Sequence, residues 1–254
     1  MSGEQDNLVP SLLQWGDDAL ILGQRLAEWC GHGPILEEDI ALTNISLDLI
    51  GQARNWLTEA GKRMAEEKSE DDLAYFRTER AFRNHKILEL PNGHFGDTIC
   101  RLHLWSEFSL LRLEALLQQT VDPEVQAVAA KSIKEVKYHV AHAREWMIRL
   151  GDGTQESHDR LTEGLKRWMP YTGEFFVVAM ADQPALDAGI LPDPASFEDL
   201  WREAVGQTLE KATLAWPAGS TPHRGGKDGF HTEHLGYVLA EMQSLARTYP
   251  GVEW

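Results

Sequence analysis

The chain has 254 residues and a formal net charge of −16 at pH 7, a length that suffices for one large or two ordinary domains. The acidic balance argues against nucleic acid and against anionic membrane surfaces as partners. Two cysteines, Cys30 and Cys100, are too few for a disulfide framework and fit a reducing compartment. The N-terminus has no basic region followed by an apolar run, and no apolar stretch approaches about 18 residues, so we expect a cytoplasmic protein without a membrane span.

Helical periodicity dominates the first third of the chain. Apolar residues at helical spacing predict a first helix over 12–30 and a second over 35–67, which begins with an acidic turn. A Ser-x-x-Asp capping pattern at Ser69 and Asp72 predicts a third helix over 69–88.

The rest of the chain is also predicted to be helical. The patterns place helices over 95–119, 123–150, 155–170, 171–181, 196–214 and 230–248, with Pro170 kinking or breaking the chain between two of them. The Gly- and Pro-rich segment 216–229 is expected to be irregular. We find no alternating strand pattern, repeat or interdomain linker. The sequence therefore predicts one all-α domain over 1–254, a bundle of long antiparallel helices.

The second predicted helix carries an unusual polar stripe. Asn44, Asp48, Gln52 and Asn55 lie along one face of the segment 42–56, so one acid stands among three amides. A solvated helix face normally carries lysine, glutamate and arginine. The stripe predicts a helix that is buried on most sides and faces a polar interior, where the Asp48 carboxylate must be paired, hydrogen-bonded or bound to a metal.

A helical bundle with a polar centre suggests a di-iron carboxylate site, which takes a Glu-x-x-His motif from each of two helices. No glutamate in this chain has a histidine three positions later. The only acid-x-x-His pattern runs from Asp228 to His231 and follows a Gly-rich loop. We expect His231 to face inward as a core or interface histidine. The sequence therefore assigns no catalytic, cofactor-binding or metal-binding residue to this chain.

Some residues still qualify as remnants of such a site. Glu135, His139 and His142 share one stripe of a predicted helix, but the apolar face there places His139 at its edge and favours a structural role. His103 and Glu107, four residues apart, are interpreted as a helix-surface pair. The candidates for a degenerate metal site are Asp48, His103, Glu135 and His139.

Five segments resemble the C subunits of phenylacetyl-CoA epoxidase, the PaaC proteins. They are LGQRLAEWCGHGP (22–34), LTNISLDLIGQARNW (42–56), ELPNGHFGDTICR (89–101), IKEVKYH (133–139) and GKDGFHTEHLGYVLAEMQ (226–243). The segments are long and occur in order from end to end. One departure is His103, because the family pattern has a tyrosine near this position.

The resemblance implies a ferritin-like helical bundle that pairs with a homologous catalytic subunit, A. It implies that the partner carries the di-iron centre and that this chain holds no cofactor. Together with further subunits, including a reductase, such a complex uses O2 and NADPH electrons to epoxidise phenylacetyl-CoA in aerobic phenylacetate degradation. The C subunit is then a structural component of a monooxygenase complex, with neither nucleic acid nor membrane as a partner.

Three functions remain open at this point. The first is a non-catalytic scaffold for the catalytic subunit, and the nine tryptophans and eight phenylalanines are compatible with a sizeable partner interface. The second is a metal-dependent oxidase that uses the degenerate-site candidates itself. The third is a standalone carrier of a CoA thioester.

Overall fold

The computed structural model describes residues 6–120, 122–219 and 221–252. The two ends of the predicted 1–254 domain, including the start of the segment searched for a signal peptide, lie outside the described residues. Within these ranges the regular structure is helical and no β-strand occurs, so the all-α prediction is confirmed. None of the helices in these ranges is long and apolar enough to cross a membrane. The α-helices are α1 Val9–Ala27, α2 Leu36–Lys62, α3 Glu70–Tyr75, α4 Lys86–Glu89, α5 Phe95–Gln119, α6 Pro123–Gly151, α7 Gln155–Thr172, α8 Gln183–Asp187, α9 Glu198–Lys211 and α10 Glu233–Thr248.

The chain packs into two compact units. The first unit contains the described residues up to Pro91, the segment Ala179–Ala185 and the described residues from Gly225 onward. The second unit contains Asn92–Val178 and Leu186–Arg224. The expectation of a single domain stays a prediction.

In the first unit, α1 and α2 form an antiparallel hairpin. The rings of Trp15 and Trp56 meet edge to face with their centroids 5.0 Å apart. Further along the same pair of helices, the Ser46 hydroxyl donates a hydrogen bond to the Gly23 carbonyl at 2.8 Å. Since position 15 lies opposite 56 and position 23 opposite 46, the helices run in opposite directions.

The hairpin corrects the prediction about which helix is buried. The predicted apolar face of α2 is confirmed as buried, but this helix also has a long exposed face. It is α1 that is buried on nearly every side, including its adjacent acids Asp17 and Asp18. The buried face of α2 consists of Leu42, Ile45, Leu49, Ala53, Trp56 and Leu57.

The third predicted helix, over 69–88, is wrong in its length. Its start is confirmed, since Ser69 and Asp72 form a reciprocal capping box. The helix ends at Tyr75, however, and the chain continues through a short 3-10 turn, Glu79–Ala81, before α4.

The buried acids of α1 account for this break. The backbone N–H of Arg83 donates to a carboxylate oxygen of Asp17, and that of His85 donates to Asp18, both at 2.9 Å. A continuous helix would direct these N–H groups to carbonyls four residues earlier. Buried carboxylates need donors, so the chain around 83–85 bonds to α1 instead of forming a helix.

In the second unit, α5 is the central helix and its bounds are those predicted. Two buried tryptophan indoles attach neighbouring helices to its backbone. Trp168 of α7 donates to the Asp97 carbonyl at 2.8 Å, and Trp201 of α9 donates to the Leu104 carbonyl at 2.9 Å. The helix α6 packs along α5 and is one residue longer than predicted.

Pro170 lies in the last turn of α7, and the helix predicted over 171–181 is wrong. The helix stops at Thr172, and only the 3-10 turn Met180–Asp182 follows in that stretch. Proline lacks an N–H and its ring obstructs the preceding turn. Moreover, the Pro170 carbonyl accepts a hydrogen bond from the His223 N–H at 2.9 Å, which occupies an acceptor that a continued helix would use.

The last two long helices are shorter than predicted. The helix α9 begins two residues later than expected and ends three residues earlier, and α10 begins three residues later. Before α10, His231 and the Thr232 N–H are bound to Glu89, so the chain there is extended rather than helical. The irregular segment over 216–229 is confirmed for its described residues, apart from the 3-10 turn Gly226–Asp228; Ser220 lies outside them.

Candidate functional site

The four degenerate-site candidates fall in different units. Asp48 lies on α2 in the first unit, whereas His103 lies on α5 and both Glu135 and His139 lie on α6 in the second.

Asp48 does not lie in the fully buried stripe that the sequence predicted. Its side chain is half-buried, Asn44 is exposed, Asn55 is half-buried and only Gln52 is buried. The interpretation is therefore wrong for Asn44 and overstated for Asp48. The physical reason is that α2 buries its apolar face, which leaves the polar stripe at the border between that face and the surface.

In the second unit, His103 and Glu107 join Arg144 in a buried cluster. Both His103 and Glu107 are buried, so the interpretation of a helix-surface pair is wrong. Arg144 of α6 donates to both carboxylate oxygens of Glu107, through Nε to Oε1 and through Nη2 to Oε2 at 2.7 Å. Bidentate pairs of this kind are among the strongest polar contacts in proteins. The guanidinium thus compensates the buried carboxylate across the two helices.

His103 itself has an unusual environment. Its side chain is fully buried, and neither ring nitrogen has a hydrogen-bond partner among the described residues. The nearest acid is Glu107, whose Oε1 lies 3.5 Å from Nδ1. Burial, assisted by the positive charge of Arg144, lowers the pKa of His103 to about 3. The imidazole is therefore neutral near pH 7 and is a weak base, and the adjacent guanidinium opposes the approach of a cation.

Because His103 is buried and neutral, acid should destabilise the wild-type chain more than it destabilises the variant His103→Phe, which has no imidazole at this position. Below the ordinary histidine pKa of about 6.5, the unfolded chain takes up a proton at position 103 and the folded chain does not, so acid favours unfolding. Between pH 7 and pH 5 the wild type should lose about 2 kcal/mol more stability than His103→Phe. Urea unfolding of both proteins at the two pH values measures this difference. The control is His32→Asn, because His32 is exposed. If wild type and His103→Phe lost the same stability between pH 7 and pH 5, the prediction would be contradicted.

The candidates on α6, Glu135 and His139, lie one turn apart on the same side of that helix. His139 is buried and Glu135 is half-buried. The predicted apolar face beside them is confirmed, because Val136, Val140 and Ala143 are buried. In the part of the chain that the structure describes, no group of three or more His, Cys, Asp or Glu side chains is arranged to hold a metal ion. The assignment of no metal ligand to this chain stays a prediction.

The first unit contains a buried network centred on Glu89, which the sequence did not reveal. The Glu89 carboxylate accepts hydrogen bonds from the Asn84 amide at 2.9 Å, the His231 ring at 2.7 Å and the Thr232 N–H at 2.6 Å. Glu89 is fully buried, as is the side chain of His231, so the inward orientation predicted for His231 is confirmed.

The protonation of His231 follows from its partners. Its second ring nitrogen donates to the Phe82 carbonyl at 2.9 Å, so both nitrogens face acceptors and the imidazolium is fully satisfied. Burial by itself lowers the pKa of His231, but the hydrogen bond and charge of Glu89, together with the Phe82 carbonyl and Asp17, raise it above its ordinary value. The result is an ion pair inside the unit.

A second part of this network begins at α1. Both carboxylate oxygens of Asp17 accept from Arg77, and the Nδ1–H of His85 donates to Asp18 at 2.9 Å. Despite these donors, burial raises the pKa of the Asp17 carboxyl. A signal was present in the sequence, since LLQWGDDALILG (12–23) is apolar except for one amide and two adjacent acids. Acids in such a setting are expected to be buried and paired.

Comparison with known proteins agrees with this all-helical architecture. A model of the PaaA_PaaC family, described as phenylacetic acid catabolic protein, matches residues 1–254. The chain is 42% identical over 249 residues to the C subunit of the 1,2-phenylacetyl-CoA epoxidase of Escherichia coli (strain K12), and the match covers 98% of this chain and 100% of that protein. The chain therefore belongs to the phenylacetic acid catabolic protein family, whose fold is ferritin-like.

Proposed function

We propose that this chain is the structural, non-catalytic C subunit of a phenylacetyl-CoA 1,2-epoxidase. In this proposal it binds and stabilises a homologous catalytic subunit, A, in the cytoplasmic, aerobic degradation of phenylacetate. The observation that carries the proposal is the similarity to the C subunit of an epoxidase over essentially the whole of both chains.

The geometry of the second unit supports a non-catalytic role. A di-iron centre needs several carboxylates free to bind metal, together with imidazole nitrogens. Here the buried Glu107 carboxylate is already held at both oxygens by Arg144. A guanidinium thus supplies the positive charge that a metal would supply elsewhere. In the proposed complex the di-iron centre belongs to the catalytic subunit and its electrons come from the reductase.

The alternative is that this chain is itself a metal-dependent oxidase. The observation in its favour is His103, a buried imidazole without a hydrogen-bond partner among the described residues. The neighbouring groups do not fit iron, because one is a carboxylate bound to Arg144 and the other is the Arg144 guanidinium itself. The scaffold function therefore accounts better for this site.

Co-expression with the catalytic A subunit tests the proposal. A stable complex should elute as one species in gel filtration, and the A subunit should be more soluble and more heat-stable with this chain than alone. The matched control is the A subunit expressed with an unrelated acidic helical protein. Independent elution of the two chains, or equal stabilisation by the control, would contradict the proposal.

A further inference from the structure

The outer face of α2 carries large apolar side chains that this chain leaves exposed. Leu36 is 72% exposed, Ile40 is 52% exposed and Leu47 is 61% exposed. Their spacing of four and seven residues places them on one side of the helix. Single exposed apolar residues are common, but an aligned set on a long helix is typical of a helix-packing surface.

Gly51 extends the same face one turn beyond Leu47. It is exposed and lies inside α2, where glycine is less favourable than alanine. Apart from its chain neighbours and the adjacent backbone of its own helix, a β-carbon added to Gly51 would meet no atom of the described chain within 4 Å. Packing within this chain therefore does not require glycine here. A close approach by the backbone of another helix would require it.

A cleft borders this face at its C-terminal end. It has a volume of about 320 Å³, and its lining includes Ile50 and Arg54 of α2 and Glu70 and Asp71 of α3. Arg54 donates to Glu70 at 3.0 Å, so this basic residue is already paired with one of the two acids. Asp71 is exposed at the rim.

The charged residues along this face indicate the charge of the partner that it binds. Exposed Glu37 lies near the N-terminal end, half-buried Asp48 lies beside Leu47, and Asp71 lies at the cleft. Two copies of this chain, each with a net charge of −16, would bring acids against acids, which disfavours association. A helix with an apolar stripe flanked by lysine or arginine matches both the apolar residues and the acidic borders.

We propose that the α2 face formed by Leu36, Ile40, Leu47 and Gly51, with the acid-rimmed cleft at its end, is the docking surface for a long helix of the catalytic subunit. The docked helix has an apolar stripe flanked by basic side chains, and its backbone passes closest at Gly51. This inference rests on the proposed function and assigns the interface to particular residues.

The first test compares two leucines on exposed helix faces of the same unit. Leu47→Asp places a charge on the α2 face, and Leu245→Asp places one on the outer face of α10, where Leu245 is 52% exposed. We expect Leu47→Asp to weaken binding of the purified A subunit at least about tenfold, as measured by calorimetry, with little change for Leu245→Asp. Unchanged binding by Leu47→Asp, or an equal loss in both variants, would overturn the proposal.

Substitutions at Gly51 give a second test, in which weaker binding cannot be explained by loss of folding. Gly51→Ala should raise the melting temperature of the chain alone by about 2–4 °C, because alanine favours the helix and meets no neighbour. The longer side chain of Gly51→Gln should leave that melting temperature no lower than the wild type's and still weaken binding of the A subunit at least about tenfold. Tight binding by Gly51→Gln would overturn the close approach.

The outcomes separate this inference from the function on which it rests. If wild-type chain and A subunit form no complex, the proposed function fails and the docking surface fails with it. If they form a complex that tolerates both Leu47→Asp and Gly51→Gln, only the docking surface is wrong. Analytical ultracentrifugation of the chain alone adds one more outcome. A wild-type dimer that Leu47→Asp converts to a monomer would show that the face binds a second copy, contrary to the proposal.

Discussion

Replacing Glu89 by alanine is expected to lower the free energy of unfolding by about 3–5 kcal/mol, the usual cost of removing one partner from a buried charged network. The carboxylate is fully buried and accepts from Asn84, His231 and the Thr232 N–H. Its removal leaves these donors buried without their acceptor, and each such group carries a desolvation cost. The same bonds attach the segment before α10 to the region around α4, so the loss should be cooperative.

Urea unfolding followed by circular dichroism measures this effect. The matched control is Glu67→Ala, because Glu67 is exposed and precedes α3, and it should change stability by less than about 0.5 kcal/mol. Glu89→Gln keeps the side-chain volume, so its loss of stability should lie between those of Glu89→Ala and Glu67→Ala. A Glu89→Ala protein as stable as the control would show that the network contributes little to the fold.

The ion pair between His231 and Glu89 also determines how stability changes with pH. The pKa of His231 is raised in the folded chain, so its contribution is fully present below the unfolded value of about 6.5 and is lost as the pH rises through the folded value. Glu89→Gln removes the charge that raises this pKa. The stability difference between wild type and Glu89→Gln should therefore shrink as the pH rises above neutrality.

Replacing Arg144 by methionine is expected to destabilise the second unit by about 2–4 kcal/mol, because it leaves the buried Glu107 charge without its partner. We place this effect below that of Glu89→Ala because the Arg144 side chain is 42% exposed and water screens part of the interaction. The control is Arg160→Met, which removes an exposed arginine paired with Glu156. That pair should contribute no more than about 1 kcal/mol.

The loss of stability caused by Arg144→Met should also depend on pH. Burial and the Arg144 charge lower the pKa of His103 in the wild type. Without the guanidinium one of these causes is removed, and the uncompensated Glu107 carboxylate 3.5 Å away favours the protonated imidazole. The stability difference between wild type and Arg144→Met should therefore become smaller as the pH is lowered from 7 to 5. A difference that stays constant over this range would mean that Glu107 is not left as an uncompensated buried charge.

Sequence patterns predicted the long helices well where local signals sufficed. The bounds of α5 match the prediction, and α6 differs by one residue. The turn-forming residues Pro91, Asn92 and Gly93 precede α5, and α6 begins with Asp122 as its N-cap and a proline in the next position. The third predicted helix failed because its interruption depends on Asp17 and Asp18 of α1, which accept from backbone N–H groups more than 60 residues away. Helical propensity alone contains no information about such distant acceptors.

The candidate site shows the same limit. His103 and Glu107 were identified as a pair from their spacing, but their burial and the part played by Arg144, 37 residues beyond Glu107, follow only from the packing of α6 along α5. For Asp48, the unusual composition of its stripe suggested a buried interior. The structure places that stripe next to an exposed apolar face instead, which is the face that we propose to be covered by the catalytic subunit.

The most direct test of a structural, non-catalytic subunit is a reconstituted epoxidase assay with the degenerate-site candidates of the second unit removed. A chain carrying His103→Phe, Glu135→Gln and His139→Gln is assembled with the catalytic subunit and the reductase, and iron content and epoxide formation are measured on the intact complex isolated by gel filtration. We predict the same iron per complex and the same rate of epoxide formation as with the wild-type chain. An intact complex that has lost iron or epoxide formation would contradict the account.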